Sequence, residues 1–118
     1  MAVILIADDD ETVRGLIVKI VRLTGHETME ARNGLEAVAL FRSYPDSIDL
    51  IVIDLKMPVM DGHEAIRLIR ESRPNAHILC VSGYSDDEVP SGAAFLAKPF
   101  TVEQVRTRIN EALAAHVL

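Results

Sequence analysis

Five short apolar runs, separated by stretches of helical period, constrain this chain more than any other feature of its sequence. Val3-Ile4-Leu5-Ile6-Ala7 has no polar alternation, the pattern of a strand covered on both faces, and it stops at Asp8-Asp9-Asp10. Val13, Leu16, Ile17, Ile20 and Val21 then form one helical stripe that ends at Gly25. A weaker strand from Thr28 to Ala31 precedes a helix from about Leu35 to Arg42, which buries Ala37, Val38 and Phe41 and ends before Pro45. Ile48 to Ile53 is again a buried strand and finishes on Asp54. Asp61 with Glu64 predicts a capping box for a helix whose stripe is Ala65, Ile66 and Ile69 and which ends before Pro74. Ile78 to Val81 ends at Ser82, and Ala94 to Ala97 ends at Lys98. Thr101 with Gln104 opens a last helix, with Val102, Val105, Ile109 and Leu113 facing inward and a short tail from about Ala114. Strands alternating with helices predict an α/β fold: a five-stranded parallel sheet with helices on both faces.

The 118 residues are the length of one domain, expected to run from 1 to 118. The apolar runs fall far short of the roughly 20 residues a membrane span needs, and no basic and apolar leader precedes them, so the expectation is a soluble, cytoplasmic chain without membrane insertion. The single cysteine, Cys80, lies inside an apolar run, which predicts a buried, inert thiol in a reducing compartment. A net charge of −6, with twelve scattered Lys and Arg residues, argues against direct nucleic-acid binding. The histidines, His26, His63, His77 and His116, lack metal-site spacing and read as surface or capping residues.

In an open parallel sheet, ligands bind beyond the carboxyl ends of the strands, where the strand order reverses. Those ends carry Asp8, Asp9, Asp54, Ser82 and Lys98. Crowded carboxylates raise one another's pKa and call for a cation. Mg²⁺ suits them, because it takes hard oxygen ligands and commonly joins one or two carboxylates to phosphate oxygens. Asp9 and Asp54 are the direct ligands expected, with Asp8 acting through water. Phosphoryl transfer depends on positioning and charge neutralisation, which a metal, the ammonium of Lys98 and the hydroxyl of Ser82 supply, and a carboxylate nucleophile gives an acyl phosphate. Asp10 and Asp61, taken singly, read as helix caps.

Ile4 to Asp10, Asp54-Leu55-Lys56-Met57-Pro58-Val59-Met60-Asp61-Gly62, Val81-Ser82-Gly83 and Lys98-Pro99-Phe100 together resemble the receiver domains of bacterial response regulators over essentially the whole chain. The resemblance implies a flavodoxin-like three-layer sandwich of strand order 2-1-3-4-5. It implies phosphorylation at Asp54 and metal binding by Asp8, Asp9, Asp54 and the main-chain carbonyl of Lys56. It implies phosphoryl contacts from Ser82 and Lys98 and a cis bond at Lys98-Pro99. A phosphorylation switch would pair Ser82 with the aromatic residue Phe95, for which core packing is an equal reading. Lys56 and Tyr84 fall where side chains tune hydrolysis of the acyl phosphate in the family, and Tyr84 is expected to screen it from water. The implied partner is a histidine kinase or a histidine phosphotransfer protein, and a weak homodimer is compatible with the family.

The chain departs from the family between Ser82 and Lys98. The segment Gly83 to Gly92 holds two glycines and a proline and is shorter than a usual parallel crossover, so the helix between the fourth and fifth strands is expected to be short or missing. Such shortened connections resemble the receivers of hybrid histidine kinases. Two rivals remain at this stage. Asp8-Asp9-Asp10-Glu11-Thr12 fits the nucleophile motif of haloacid-dehalogenase-type phosphatases, which would use Asp8 and Asp10, and a receiver fold can also serve as a binding module without phosphorylation.

Overall fold

The computed structural model describes residues 1–83 and 89–117, with side chains through Ala114. Its strands are β1 (Val3–Ala7), β2 (Glu27–Ala31), β3 (Leu50–Asp54), β4 (Ile78–Ser82) and β5 (Ala94–Ala97); its helices are α1 (Glu11–Leu23), α2 (Gly34–Ser43), α3 (Gly62–Ser72) and α4 (Val102–Val117). All pairings are parallel, in the order β2-β1-β3-β4-β5, so the chain reverses its direction of winding between β1 and β3. This is the flavodoxin-like order that the sequence resemblance implied. The Lys98-Pro99 bond is cis.

β3 lies at the centre and all five of its residues are buried. Because side chains alternate along a strand, it feeds two cores. Leu50 and Val52 pack with Ile17 of α1 and Val105 of α4 on one face. Ile51 and Ile53 pack with Phe41 of α2 and Ile66 of α3 on the other. Each fully buried side chain of this kind contributes about 1.5–3 kcal/mol, which is why the strands read as unbroken apolar runs.

Several boundaries and faces differ from the sequence expectation. Ile48 is buried but lies outside β3, and Asp54 and Ser82 are the last residues of their strands rather than the first beyond them. On α1, Leu16 is 41% exposed, while Arg14 and Val18 are buried. The helix packs along the Ile17–Val21 line, which leaves Leu16 on its flank. Val102 is also exposed, whereas Val105 and Ile109 are buried and Leu113 is partly so. The helix continues to Val117, past the point where a tail was expected. Thr101 and Gln104 do form a reciprocal cap, each backbone N–H donating to the other's side chain at 2.8 and 3.1 Å. At α3 the cap is one-sided: Asp61 accepts from the Glu64 N–H, but the Glu64 carboxylate turns to Arg67.

Among the described residues no helix lies between β4 and β5, in keeping with the shortened connection. The position of Tyr84 falls outside the described residues.

Cys80 sits in the α2/α3 core with no exposed surface, and burial pushes its thiol from 9.0 up to about 11. A folded-state value above the unfolded one contributes stability below about pH 9 that is lost as the pH rises toward 11. Urea denaturation of native and Cys80→Ala chains should show the stability difference between them narrow by about 1 kcal/mol from about pH 8 to about pH 10. An unchanged difference would mean that the thiol is solvated.

Candidate functional site

The carboxyl ends of β1 and β3 lie side by side at the reversal point, and each ends in carboxylates. Asp8 is 1% exposed and Asp54 5%, while Asp9 is exposed at the rim. One carboxylate oxygen from each of the three lies within 4.8 Å of the others. Lys98, just past β5, places Nζ 3.0 Å from Asp54 Oδ2 and 3.1 Å from Asp8 Oδ2. Its own N–H donates to the Ser82 carbonyl at 2.7 Å, which ties β5 to the end of β4. Ser82 is fully buried one residue beyond Val81, the neighbour of Asp54 in the sheet.

Each carboxylate is oriented by main-chain donors. Asp8 Oδ1 accepts from the Asp10 N–H at 2.9 Å, and Asp54 Oδ1 accepts from the Lys56 N–H at 3.1 Å. The contact of Lys98 with Asp54 is a hydrogen bond, whereas its contact with Asp8 is an ion pair without hydrogen-bond alignment. Asp8 Oδ2 is therefore buried without a hydrogen bond. The Lys98 ammonium 3.1 Å away offsets part of the cost of burying that acceptor, and the oxygen keeps lone-pair capacity that a second cation can use. Three convergent carboxylates with one oxygen so placed fit a hard divalent cation such as Mg²⁺.

Burial raises the pKa of Asp54; the Lys56 N–H and Lys98 oppose the shift, and the charge of Asp8 adds to it. For Lys98, burial works against the charged form, but bonding to Asp54 and pairing with Asp8 outweigh it, so its pKa is raised. Asp54 is thus ionised at a cost in the folded state. A raised carboxylate gives stability that is present below the unfolded value of 3.8 and is lost as pH rises through the folded value. In the absence of divalent metal, Asp54→Asn is expected to melt higher than native at neutral pH. That advantage should fade as the pH falls through the raised folded value toward 3.8 and be absent below it, as read by thermal unfolding across pH.

The loop from Asp54 to α3 is held by close backbone approaches that only glycine permits. A Cβ on Gly62 would stand 2.3 Å from the Asp54 carbonyl oxygen, and one on Gly34 2.5 Å from that of Met60. The Gly62 N–H donates to Leu55 O and the Gly34 N–H to Met60 O. Between these anchors Val59 adopts φ 70° and is 77% exposed, a conformation that costs an L-residue about 1–2 kcal/mol. Gly62→Ala is expected to destabilise the chain by about 3 kcal/mol. Gly15→Ala, in open space on α1, should instead stabilise it by roughly 1 kcal/mol. Urea titration of the two variants distinguishes close approach from helix propensity.

All of Asp8, Asp9, Asp54, Ser82 and Lys98 come to one rim. Asp10 does not join them: its Oδ1 caps α1, accepting from the N–H groups of Thr12 and Val13. The side chain of Lys56 is exposed, and Phe95 is half-buried against the α2/α3 core. Arg14, buried behind Asp8, and Gly34 are not among the residues the sequence marks, and Gly62 enters there only as the end of the Asp54 segment. The signal for Arg14 was its place three residues before Ile17 and seven before Val21, on the buried stripe.

The chain is similar to known proteins over nearly its whole length. The family described as response regulator receiver domain matches residues 4–110. The sensor kinase CckA of Brucella abortus is 33% identical over 95% of this chain, which spans 12% of that protein's length. The chemotaxis protein CheY of Halobacterium salinarum is 34% identical, with 95% of this chain and 97% of that protein aligned. Among solved structures, the CheX-CheY-BeF3-Mg+2 complex from Borrelia burgdorferi superposes with a TM-score of 0.87 at 26% identity, covering 93% of this chain and 87% of that one.

Proposed function

Since this chain belongs to the response regulator receiver domain family and is a phosphoacceptor of two-component signalling, we propose that Asp54 is the residue phosphorylated, with Asp8, Asp9, Ser82 and Lys98 as its working partners. The observation that carries this is the convergence of Asp8, Asp54 and Lys98 within 3.1 Å contacts at the reversal point of the sheet. The donor is the phosphohistidine of a histidine kinase or of a histidine phosphotransfer protein. An Asp54 carboxylate oxygen attacks phosphorus, the phosphorus–nitrogen bond breaks, and the imidazole leaves with the bonding pair. The product is an acyl phosphate on Asp54.

Asp8, Asp9, Asp54 and the main-chain carbonyl of Lys56 are the groups that would hold Mg²⁺. When bound, that ion neutralises charge on the transferring phosphoryl group. Lys98 already touches Asp54 and offers its ammonium to a phosphoryl oxygen at the same place, and Ser82 offers a hydroxyl from the neighbouring strand. The dianionic phosphoryl group that replaces a singly charged carboxylate next to Ser82 favours movement of that hydroxyl toward the phosphate, with Phe95 turning inward as the output. The receiver domain comprises residues 1–118. It is a signalling acceptor in the cytoplasm rather than an enzyme with a separate substrate, and its charge of −6 disfavours direct contact with nucleic acid. No helix among the described residues is long and apolar enough to cross a membrane.

The phosphatase reading through Asp8 and Asp10 loses support because Asp10 is taken up as the α1 cap. Intact-protein mass after incubation with acetyl phosphate tests the proposal. The native chain should gain one phosphoryl group only with Mg²⁺ present, and Asp54→Asn should gain none. An adduct that survives in Asp54→Asn would move the nucleophile, with Asp8→Asn as the next variant. No adduct in the native chain would leave a receiver fold that acts by binding alone.

A further inference from the structure

The pocket's charges face one another across the rim, but Asp8 is also gripped from behind. Arg14 is buried on α1, and its Nη1 donates to the Asp8 carbonyl oxygen at 2.9 Å. Its Nε donates to Glu30 Oε1 on β2 at 3.0 Å, a pair whose carboxylate end is 44% exposed. The Asp8 N–H donates to Ala31 O, next to Glu30. Both main-chain groups of Asp8 are therefore committed, and its Oδ1 is held by the Asp10 N–H. Rotation of the carboxylate is blocked, and Oδ2 alone is presented to Asp54 and Lys98.

A guanidinium at this position is costly. Its neighbours on the stripe, Ile17 and Val21, are fully apolar, and a methionine of similar length satisfies the same packing without desolvating a charge. Its hydrogen bonds to the Asp8 carbonyl and to Glu30 offset that cost, and they tie α1 to the end of β1 and to β2. We propose that Arg14 is a positioning residue for the divalent-cation pocket, held in place by Glu30 and acting through the Asp8 main chain rather than through its charge. The inference rests on the metal-assisted reading of the site given above.

The sign of one measurement separates position from charge. If Arg14 acted only as a nearby cation, removing it would make the pocket more negative and tighten a divalent ion. If it positions Asp8, removing it weakens the ion, and supporting contacts of this kind are typically worth 10–100-fold in metal affinity. Mn²⁺ binding, read from the electron paramagnetic resonance signal of the free ion, is expected to weaken about tenfold in Arg14→Met. A folded, cooperatively melting Arg14→Met that binds Mn²⁺ as tightly as native, or tighter, overturns the proposal.

Glu30→Gln and Glu30→Ala supply a second comparison that does not touch the core, since Glu30 is an exposed strand residue. The two lose the same charge, but only the glutamine keeps an acceptor for Nε. Glu30→Gln is expected to stay near native and Glu30→Ala to bind several-fold more weakly. Equal affinities for the two overturn the role of Glu30, and decide the matter if Arg14→Met does not fold. A native chain whose Mn²⁺ binding is no stronger than that of Asp8→Asn removes the metal reading itself, a result distinct from either of these.

Discussion

Two buried carboxylates and one ammonium in mutual contact are the interaction on which the rest of this structure turns. Asp8 and Asp54 are both buried and their charges repel; Lys98 bridges the two and makes the arrangement tolerable. Such a cluster cannot sit on a flexible surface, because its attraction depends on ångström-scale geometry and on the exclusion of water. The parallel sheet supplies that geometry. It brings the ends of β1 and β3 into register, with Ala7 beside Ile53, and carries Lys98 in on the far side of β4.

Around that cluster the backbone makes concessions that a purely structural loop would avoid. Gly62 and Gly34 allow carbonyls to approach closer than any side chain permits, and Val59 accepts a left-handed conformation on the surface. Three constraints acting on one loop, two of them from the first residues of α2 and α3, mean that the path from Asp54 to α3 is not set by local preference alone. Arg14 belongs to the same group: it places a charge inside an apolar stripe, where packing alone would favour carbon.

The uneven legibility of the sequence follows from these physics. Buried parallel strands must be apolar throughout, so β1, β3 and β4 stood out, and the polar residues that end them marked the rim. Periodicity also located the helices, yet it reports a stripe rather than its exact centre, so Leu16 was placed inward and Arg14 was not noticed. A rule that assigns charge to the surface discards a buried arginine at the start. Val102 shows the same limit: it has the phase of Val105 and Ile109, yet it stands exposed in the first turn of α4. Close approaches such as Gly62 to Asp54 O involve residues several positions apart that fold back on one another, and no local window contains that information.

The brevity of β5 acts beyond the site. It is the outer strand of the sheet, four residues long, with Ala94 and Ala97 exposed, and among the described residues no helix stands between it and β4 in the chain. An outer strand of this kind offers unpaired amide and carbonyl groups to any other chain in extended conformation. Here Pro99 follows within two residues of the strand's end and has no N–H to extend the ladder. The same Lys98-Pro99 pair that completes the charge cluster therefore also limits how far a foreign strand can zip along the open edge, so one short segment both closes the cluster and shortens the pairing edge.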